Sequence, residues 1–328
     1  MLLSIVIPCR NETANLPELY RRLNAVIGEV IADRRLNINE AEFVFVDDGS
    51  TDETLEHLRM LAMKDNRLQV VALSRNFGHQ AALSAGIDYA RGNAVVVMDA
   101  DLQHPPEMIP QFVTQWRAGY ELVYAYRDGA RPRLGYRLIN ALMKVRVPPE
   151  AADFRLMDRR VVEAFRNMPE RARFIRGMLS WLGFRQTGIP YDQPERFAGH
   201  RTYTIRQTGR MALYAVLAFS SVPLRMASVL GLMTLLAGLG YAVYILYARM
   251  AGWPIEPGWT ALILTVLILG GVQLLCLGVI AEYIGCIFEE VKHRPLYVVR
   301  EHITTNRNIS STRHQPDTEP PRTPKIQT

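Results

Sequence analysis

The sequence predicts an α/β domain with a mostly parallel, Rossmann-like sheet, followed by interfacial helices and two C-terminal transmembrane helices. In the first third of the chain, β-branched runs alternate with amphipathic stretches, which is typical of a parallel sheet with crossover helices. Later, residues 226–248 and 257–281 carry no charge over 23 and 25 positions. Each run exceeds the roughly 20 apolar residues that span a bilayer.

The first predicted strand covers residues 3–7 and runs into a polar turn that holds Pro8, Arg10 and Glu12. Residues 15–30 follow with leucine, valine and isoleucine at helical spacing. This order, strand then polar turn then helix, is the first half of a βαβ unit.

The unit then repeats along the chain. A second predicted strand, residues 43–46, ends at Asp48, and a third, residues 69–73, ends just before Arg75. Residues 80–90 form the next predicted helix. Since the carboxyl ends of neighbouring parallel strands meet at one sheet edge, we expect these polar turns to share one cleft.

The fourth predicted strand begins the stretch of residues 95–106. Asp99 and Asp101 stand at its carboxyl end, with Gln103 just beyond. Carboxylate oxygens in this arrangement suit Mg²⁺ or Mn²⁺, which usually share their coordination with substrate phosphates. An Asp-x-Asp alone is more often a strand followed by a polar turn. No Gly-x-x-x-x-Gly-Lys motif is present, and no Gly-x-Gly-x-x-Gly follows the first strand, so we expect a metal to neutralise any bound diphosphate.

Charge and cysteine content narrow the function class. The net charge is +6, but no surface of interleaved basic and aromatic residues indicates nucleic-acid binding. Three cysteines without metal-type spacing argue against disulfides and zinc. No basic region or small-residue cleavage site marks a signal peptide at the amino terminus, so we expect the α/β domain to be cytoplasmic.

The chain therefore divides into four predicted parts: a cytoplasmic catalytic domain at 1–200, a juxtamembrane interfacial helix at 201–225, a transmembrane hairpin at 226–285, and a cytoplasmic segment at 286–328. The last part is polar and rich in proline, and we expect disorder after about residue 302. Basic residues flank both spans on one side, which places the catalytic domain and both termini in the cytoplasm by the positive-inside rule. The expected location is the inner membrane of a bacterium.

Several stretches resemble the signature blocks of family 2 glycosyltransferases of the GT-A fold. These are SIVIPCRNE, VDDGSTD, LSRNFGHQAAL and MDADLQ. The later stretches DFRL and GFRQ, with the two terminal spans, are similar to the polyprenyl-phosphate glycosyltransferases, especially bacterial undecaprenyl-phosphate glucosyltransferases and their aminoarabinose relatives. The resemblance covers about residues 3–300.

The resemblance implies inverting transfer of a sugar from a nucleotide donor to the phosphate of a membrane polyprenol. The nearest branch favours UDP-glucose and undecaprenyl phosphate, with formamido-arabinose or mannose as alternative sugars. It also implies Mg²⁺ or Mn²⁺ as cofactor and a homo-oligomer, a tetramer in relatives.

The same resemblance implies roles for individual residues. Asp153 is the candidate catalytic aspartate, either orienting the acceptor or taking its proton, although it could be only a helix N-cap. A basic residue after Gly199 is shifted by one position from the family pattern, so the choice between Arg201 and Arg206 stays open. The implied sets are Pro8, Arg10, Glu12, Asp48, Arg75 and Asp99 for the nucleotide, Asp99, Asp101 and Gln103 for the metal, Asp101 and Asp153 for catalysis, and Arg127, Arg201 and Arg206 for the acceptor phosphate.

Two other functions compete with this one. A processive polysaccharide synthase is disfavoured because the chain lacks a Gln-x-x-Arg-Trp motif and further spans. A non-catalytic membrane scaffold would be expected to lose the metal pair, yet both aspartates are present.

Overall fold

The computed structural model describes residues 1–127, 151–171, 173–192, 194, 222–252 and 258–304. The strands are β1 Leu2–Cys9, β2 Glu40–Asp47, β3 Leu68–Leu73, β4 Ala94–Val97, β5 Leu122–Arg127, β6 Ala151–Asp158, β7 Gln186–Tyr191 and β8 Val299–Thr304. The helices are α1 Leu16–Ala32, α2 Thr54–Lys64, α3 His79–Tyr89, α4 Ile109–Arg117, α5 Arg159–Arg166, α6 Ile175–Trp181, α7 Val222–Met250 and α8 Trp259–Val291.

Within the described residues, the strands form one sheet in the order β7-β5-β6-β4-β1-β2-β3-β8. Strands β4, β1, β2 and β3 are parallel neighbours, which confirms the predicted Rossmann-like core. Strand β6 runs antiparallel to both β4 and β5. Because the chain leaves β1 toward β2 on one side and reaches β4 on the other, the carboxyl ends of β1 and β4 border a crevice.

Helices cover both faces of the sheet and form two separate apolar cores. Helices α1 and α4 pack on one face through side chains such as Leu23 and Phe112. Helices α3, α5 and α6 pack on the other through Leu83, Val162 and Met178. A strand covered on both faces buries the side chain at every position, so apolar residues stabilise it throughout. The central strands are therefore continuous hydrophobic runs in the sequence.

The helix after β6 corrects the N-cap interpretation of Asp153. Asp153 lies inside β6, six positions before the helix begins. The residue that caps α5 is Asp158, whose carboxylate accepts a hydrogen bond of 2.9 Å from the backbone N–H of Arg160. A helix cap therefore does not explain why Asp153 is present.

After α8 the chain returns to the α/β domain, and we name residues 297–304 the C-terminal strap. Strand β8 pairs antiparallel with β3 as far as Thr304, the last residue that the structure describes, so the chain is ordered up to about the position where disorder was expected to begin. The Tyr297 hydroxyl lies 2.8 Å from Asp88, and Arg59 Nη2 lies 2.6 Å from a carboxylate oxygen of Glu301. The strap fastens the end of the hairpin to the sheet.

The two uncharged runs form the long helices α7 and α8. Their segments Val222–Ala248 and Leu262–Val291 are long and apolar enough to cross a membrane. Of the predicted interfacial helix at 201–225, residues 201–221 lie outside the described part of the chain, as does the tail after residue 304, and residues 222–225 form the first turn of α7.

Candidate active site

Asp99 and Asp101 follow β4 in a tight turn held by hydrogen bonds of its own. Asp101 Oδ1 accepts a hydrogen bond of 3.1 Å from the backbone N–H of Gln103, and the Asp99 N–H donates to His104 Nδ1 at 2.9 Å. Directly after Asp101, the buried Leu102 has φ of +62°, a left-handed conformation that costs a side-chain-bearing residue roughly 1–2 kcal/mol. Strain of this kind concentrates where the surrounding structure must aim functional groups.

The buried side chain of His104 stabilises this turn. Its ring is 5 % exposed and stacks on Phe154 with centroids 5.2 Å apart. Because Nδ1 accepts the Asp99 N–H, the neutral ring carries its proton on Nε2. His104 thus positions the Asp99 backbone.

The carboxylate pair fits a divalent cation completed by substrate. Asp99 Oδ1 is buried and accepts no hydrogen bond from the described residues, although His79 Nε2 approaches it at 3.4 Å. The described residues include no group of three His, Cys, Asp or Glu side chains placed to hold a metal by themselves. Mg²⁺ is usually held by one or two carboxylates together with phosphates and water, so Asp99 and Asp101 are suitable ligands.

Strand pairing brings Asp153 to the same edge of the sheet. Strand β6 runs antiparallel to β4, with Arg155 opposite Val97. Continuing this register by two residues sets Asp153 level with Asp99, although 54 positions separate them in the chain. The amino end of β6 therefore lies beside the carboxyl end of β4.

Two arginines hold the Asp153 carboxylate. Arg176, on α6, approaches it with both prongs, Nε to Oδ1 at 2.9 Å and Nη2 to Oδ2 at 3.1 Å, and Arg155 Nη2 lies 3.2 Å from Oδ1. Burial alone would raise the pKa of Asp153, but the charge and hydrogen bonds of Arg176, the charge of Arg155 and that of His79 outweigh burial. The pKa of Asp153 lies far below its ordinary range, so the carboxyl group is ionised at neutral pH.

His79 stands between the two aspartates at the first position of α3. Its Nε2 lies 3.4 Å from Asp99 Oδ1 and 3.9 Å from Asp153 Oδ2. Sequence reasoning missed both His79 and Arg176 as site residues. His79 lies in one of the signature stretches, whereas for Arg176 the only signal was an arginine-rich run before an apolar helix, which named no partner.

Asp48 connects two of the predicted nucleotide loops, the one after β2 and the one after β3. Its oxygens accept hydrogen bonds from the backbone N–H groups of Phe77 at 2.7 Å and Gly78 at 3.0 Å. Burial raises the pKa of Asp48, although these bonds and the nearby charge of Arg10 oppose the effect. Arg10 is exposed at the same edge, and Arg75 lies over the Phe77 ring with 4.0 Å between the guanidinium carbon and the ring centroid.

The remaining predicted residues are placed as follows. Pro8 is buried within β1, away from the exposed surface, and Glu12 accepts a hydrogen bond of 2.5 Å from the Asn15 amide. Arg127 ends β5 and is exposed beside Tyr191, a buried residue whose hydroxyl also faces the charges of Asp99 and Asp101. Arg201 and Arg206 lie outside the described residues.

Gly49 permits the close contact between the loops after β2 and β3. It has φ of +63°, and a Cβ built there would lie 2.6 Å from the backbone carbon of Arg75 and 2.6 Å from the backbone nitrogen of Asn76. Neither backbone atom can yield without moving the Arg75 loop. A side chain at position 49 therefore changes the predicted nucleotide loop directly.

We expect Gly49→Ala to raise the KM for the nucleotide sugar about tenfold and to lower the melting temperature, because it adds left-handed strain as well as the clash. Gly28→Ala is the matched control: Gly28 lies in α1, and a Cβ there would meet no atom within 4 Å. The control should leave KM unchanged and stabilise the helix by about 0.5–1 kcal/mol. Equal KM values for the two variants would contradict the assignment of this loop to the donor.

Comparison with known proteins places this chain in a family. Residues 4–165 match Glycosyl transferase family 2, and residues 222–287 match the GtrB C-terminal hairpin. The chain is 42 % identical over 308 residues to an uncharacterized glycosyltransferase of Synechocystis, covering 91 % of this chain and 95 % of the relative. It is 36 % identical over 310 residues to a bactoprenol glucosyl transferase of Shigella phage SfV, covering 92 % and 98 %.

A third relative is the prophage bactoprenol glucosyl transferase homolog of Escherichia coli, 34 % identical over 309 residues and covering 92 % of this chain and 99 % of the relative. Identities above 30 % across nearly the full length of both chains include the catalytic domain and the hairpin together. The chain is therefore a member of glycosyl transferase family 2, in the branch that carries the GtrB-type C-terminal hairpin.

Proposed function

We propose that this enzyme transfers a single glucose from UDP-glucose to the phosphate of a membrane polyprenol, undecaprenyl phosphate, with inversion at the anomeric carbon. The supporting observation is the crevice itself, in which a carboxylate pair suited to a cation lies next to a carboxylate clamped by two arginines. The side of the crevice with Asp99 and Asp101 suits a cation-bound donor diphosphate. The side with Asp153 and its two arginines suits an anionic acceptor. The full-length similarity to bactoprenol glucosyl transferases supports the same acceptor.

On the donor side, the loops after β1, β2 and β3 bind the nucleoside through Arg10, Asp48 and Arg75. Asp99 and Asp101 hold the cation, with Gln103 in the same turn. When bound, Mg²⁺ or Mn²⁺ neutralises the charge that develops on the departing nucleoside diphosphate. The hydrogen bonds within the Asp99 turn keep both carboxylates aimed at the crevice before substrate arrives.

On the acceptor side, the nucleophile needs no strong base. A phosphate monoester has a second pKa of about 6 and is largely ionised at neutral pH. Asp153, with its pKa far below the ordinary range, is a weak base, so we assign it the orienting role of the two that the family resemblance left open. It fixes Arg176, which is one-third exposed, and we assign Arg176 together with Arg127 to hold the lipid phosphate.

The positions of the donor and the acceptor determine which bonds form and break. A phosphate oxygen attacks the anomeric carbon as the bond from that carbon to the diphosphate breaks, and the bonding electrons leave with the nucleoside diphosphate. Attack from the side opposite the leaving group inverts the anomeric centre. No proton has to be removed from an ionised phosphate, so the step needs no general base.

The membrane arrangement completes the proposal. Helices α7 and α8 cross the inner membrane as a hairpin, and the catalytic domain and both termini lie in the cytoplasm, because Arg225 lies in the first turn of α7 and Lys292 and Arg294 follow α8. Glycines on both helices have open space around a built Cβ within this chain, so a second copy can pack closely there. We propose a homo-oligomer on this basis.

The direct test incubates purified full-length protein with undecaprenyl phosphate, Mg²⁺ or Mn²⁺, and radiolabelled UDP-glucose, UDP-formamido-arabinose or GDP-mannose in parallel. We expect one sugar per lipid, formed fastest from UDP-glucose. A faster reaction with another donor would change the sugar and keep the acceptor. Polymeric product would identify a synthase, and the absence of lipid-linked sugar with every donor would reject the proposed function.

A further inference from the structure

Helix α6, which carries Arg176, has no capping side chain of its own. It is seven residues long, and helices this short are unstable in water without tertiary contacts. The residue before it, Phe174, has no side-chain oxygen that could accept a hydrogen bond from the first turn. The first N–H groups of α6 therefore need acceptors from other parts of the chain or from water.

Gln80, on α3, supplies one such acceptor. Its side-chain oxygen Oε1 accepts a hydrogen bond of 3.2 Å from the backbone N–H of Ile175, the first residue of α6, across 95 positions of the chain. Ile175 directly precedes Arg176, whose guanidinium binds Asp153 through two hydrogen bonds. The hydrogen bond to Gln80 therefore lies one residue away from the arginine that we assign to the acceptor phosphate.

Helix α3 has a fixed position on the sheet. Gly86 lies so close to β1 that a Cβ built there would be 2.2 Å from Val6 Cγ1. At the carboxyl end of α3, Arg166 Nη2 donates hydrogen bonds to the backbone carbonyl oxygens of Ile87 and Asp88. Any shift of α3 would disturb both contacts, so its first turn is a rigid support for α6.

The first turn of α3 and the residues before it contact every part of the crevice. The two backbone N–H groups that precede the helix bind Asp48 in the predicted nucleotide site. In the turn itself, His79 Nε2 lies 3.4 Å from Asp99 Oδ1, and Gln80 binds the start of α6. Consecutive residues thus connect the donor side, the carboxylate pair and the acceptor side.

We infer that Gln80 is a positioning residue for sugar transfer. It fixes the start of α6 relative to the donor loops, and in this way it holds Arg176 beside Asp153. The inference rests on the proposed function and adds to it a residue that acts through Arg176. Loss of the Gln80 hydrogen bond therefore weakens the use of the acceptor and leaves the use of the donor unchanged.

The test measures the KM for each substrate in full-length Gln80→Met, which keeps the side-chain length and removes the acceptor oxygen. The KM for undecaprenyl phosphate should rise about tenfold, as expected for one lost hydrogen bond, while the KM for UDP-glucose stays within about twofold. Gln80→Asn keeps the amide but shortens the side chain by one methylene, and it should reproduce the loss.

Two further variants control for the substitution itself. Gln80→Glu keeps an oxygen that can accept the Ile175 N–H, and it should recover most of the loss. Gln115→Met makes the same change as Gln80→Met at a half-buried position of α4, on the opposite face of the sheet, and should change neither KM.

The Arg176→Ala background separates positioning from a general loss of stability. In that background, Gln80→Met should change the KM for undecaprenyl phosphate by less than about twofold, because the group that Gln80 positions is already missing. Multiplying effects of the two substitutions would overturn the inference. An equal rise in both KM values, or an unchanged KM for undecaprenyl phosphate in Gln80→Met, would overturn it as well.

Lipid binding gives a readout that does not depend on transfer. Radiolabelled undecaprenyl phosphate is bound to the full-length protein in detergent micelles with no nucleotide sugar present. Gln80→Met should weaken this binding about tenfold, and binding equal to that of the wild type would reject the positioning role. If the wild type binds the lipid but forms no lipid-linked sugar with any donor, the proposed function fails, whereas weaker binding by Gln80→Met would still support its effect on Arg176.

Discussion

Asp101→Asn is expected to lower kcat/KM for sugar transfer by about 1,000-fold or more while leaving the protein folded. The change replaces an anionic ligand by a neutral amide in a pair that we assign to the cation. Losing about 4 kcal/mol of stabilisation of the leaving diphosphate corresponds to about three powers of ten in rate. Transfer of labelled glucose to undecaprenyl phosphate measures the loss.

Removal of the metal provides an independent check. A chelator should abolish transfer by the wild-type enzyme, and added Mg²⁺ or Mn²⁺ should restore the wild type and leave Asp101→Asn inactive. Asp33→Asn is the matched control, since Asp33 follows α1 and pairs with Arg35 on the surface. Its rate should equal that of the wild type. Full activity in chelator, or in Asp101→Asn, would rule out the metal assignment.

Asp153→Asn and Arg176→Ala are each expected to lower kcat/KM by about 100-fold, and the double variant should be no worse than either single variant. The reason is that Asp153 acts through Arg176: once the pair is broken, the guanidinium is no longer held toward the acceptor phosphate. The magnitude is that of losing one preorganised donor. A double-mutant cycle on acceptor kinetics measures the coupling directly.

A general base would give a different pattern. If Asp153 removed a proton, the two losses would multiply, and the positioning role would have to be abandoned.

The pH dependence of stability gives a second readout. Because the folded pKa of Asp153 is depressed, its ion pair stabilises the protein above the unfolded pKa of about 3.9, and this stability is lost as the pH falls below that value. The stability difference between wild type and Asp153→Asn should therefore be constant from about pH 5 to 8.

The elements whose folding signal is local were predicted well. Strand β1 was expected at residues 3–7 and spans Leu2–Cys9, and β4 was expected within residues 95–106 and spans Ala94–Val97. Such strands are covered on both faces, so each of them carries a continuous apolar run that can be recognised without its neighbours. The turns after β2 and β4 hold Asp48, Asp99 and Asp101, because polar residues end a buried run.

The elements on the acceptor side have no comparable local signal. Asp153 was assigned a role by family resemblance, and its place opposite Asp99 depends on the antiparallel register of β4 and β6. Strand β8 was missed entirely, because its six residues alternate in burial at a sheet edge and follow a membrane helix. Pairings between residues so far apart in the chain are selected by burial of the whole core.

The amino-acid sequence by itself therefore determined the Rossmann-like core, the carboxylate turn at Asp99 and Asp101, and the two apolar spans. Each of these results from a periodicity or a composition within a few tens of residues. Only the tertiary structure decided that Arg176 and Arg155 clamp Asp153 and that His79 stands between the two aspartates. The charge state of Asp153 depends on burial and on partners from other elements, and a linear pattern contains neither.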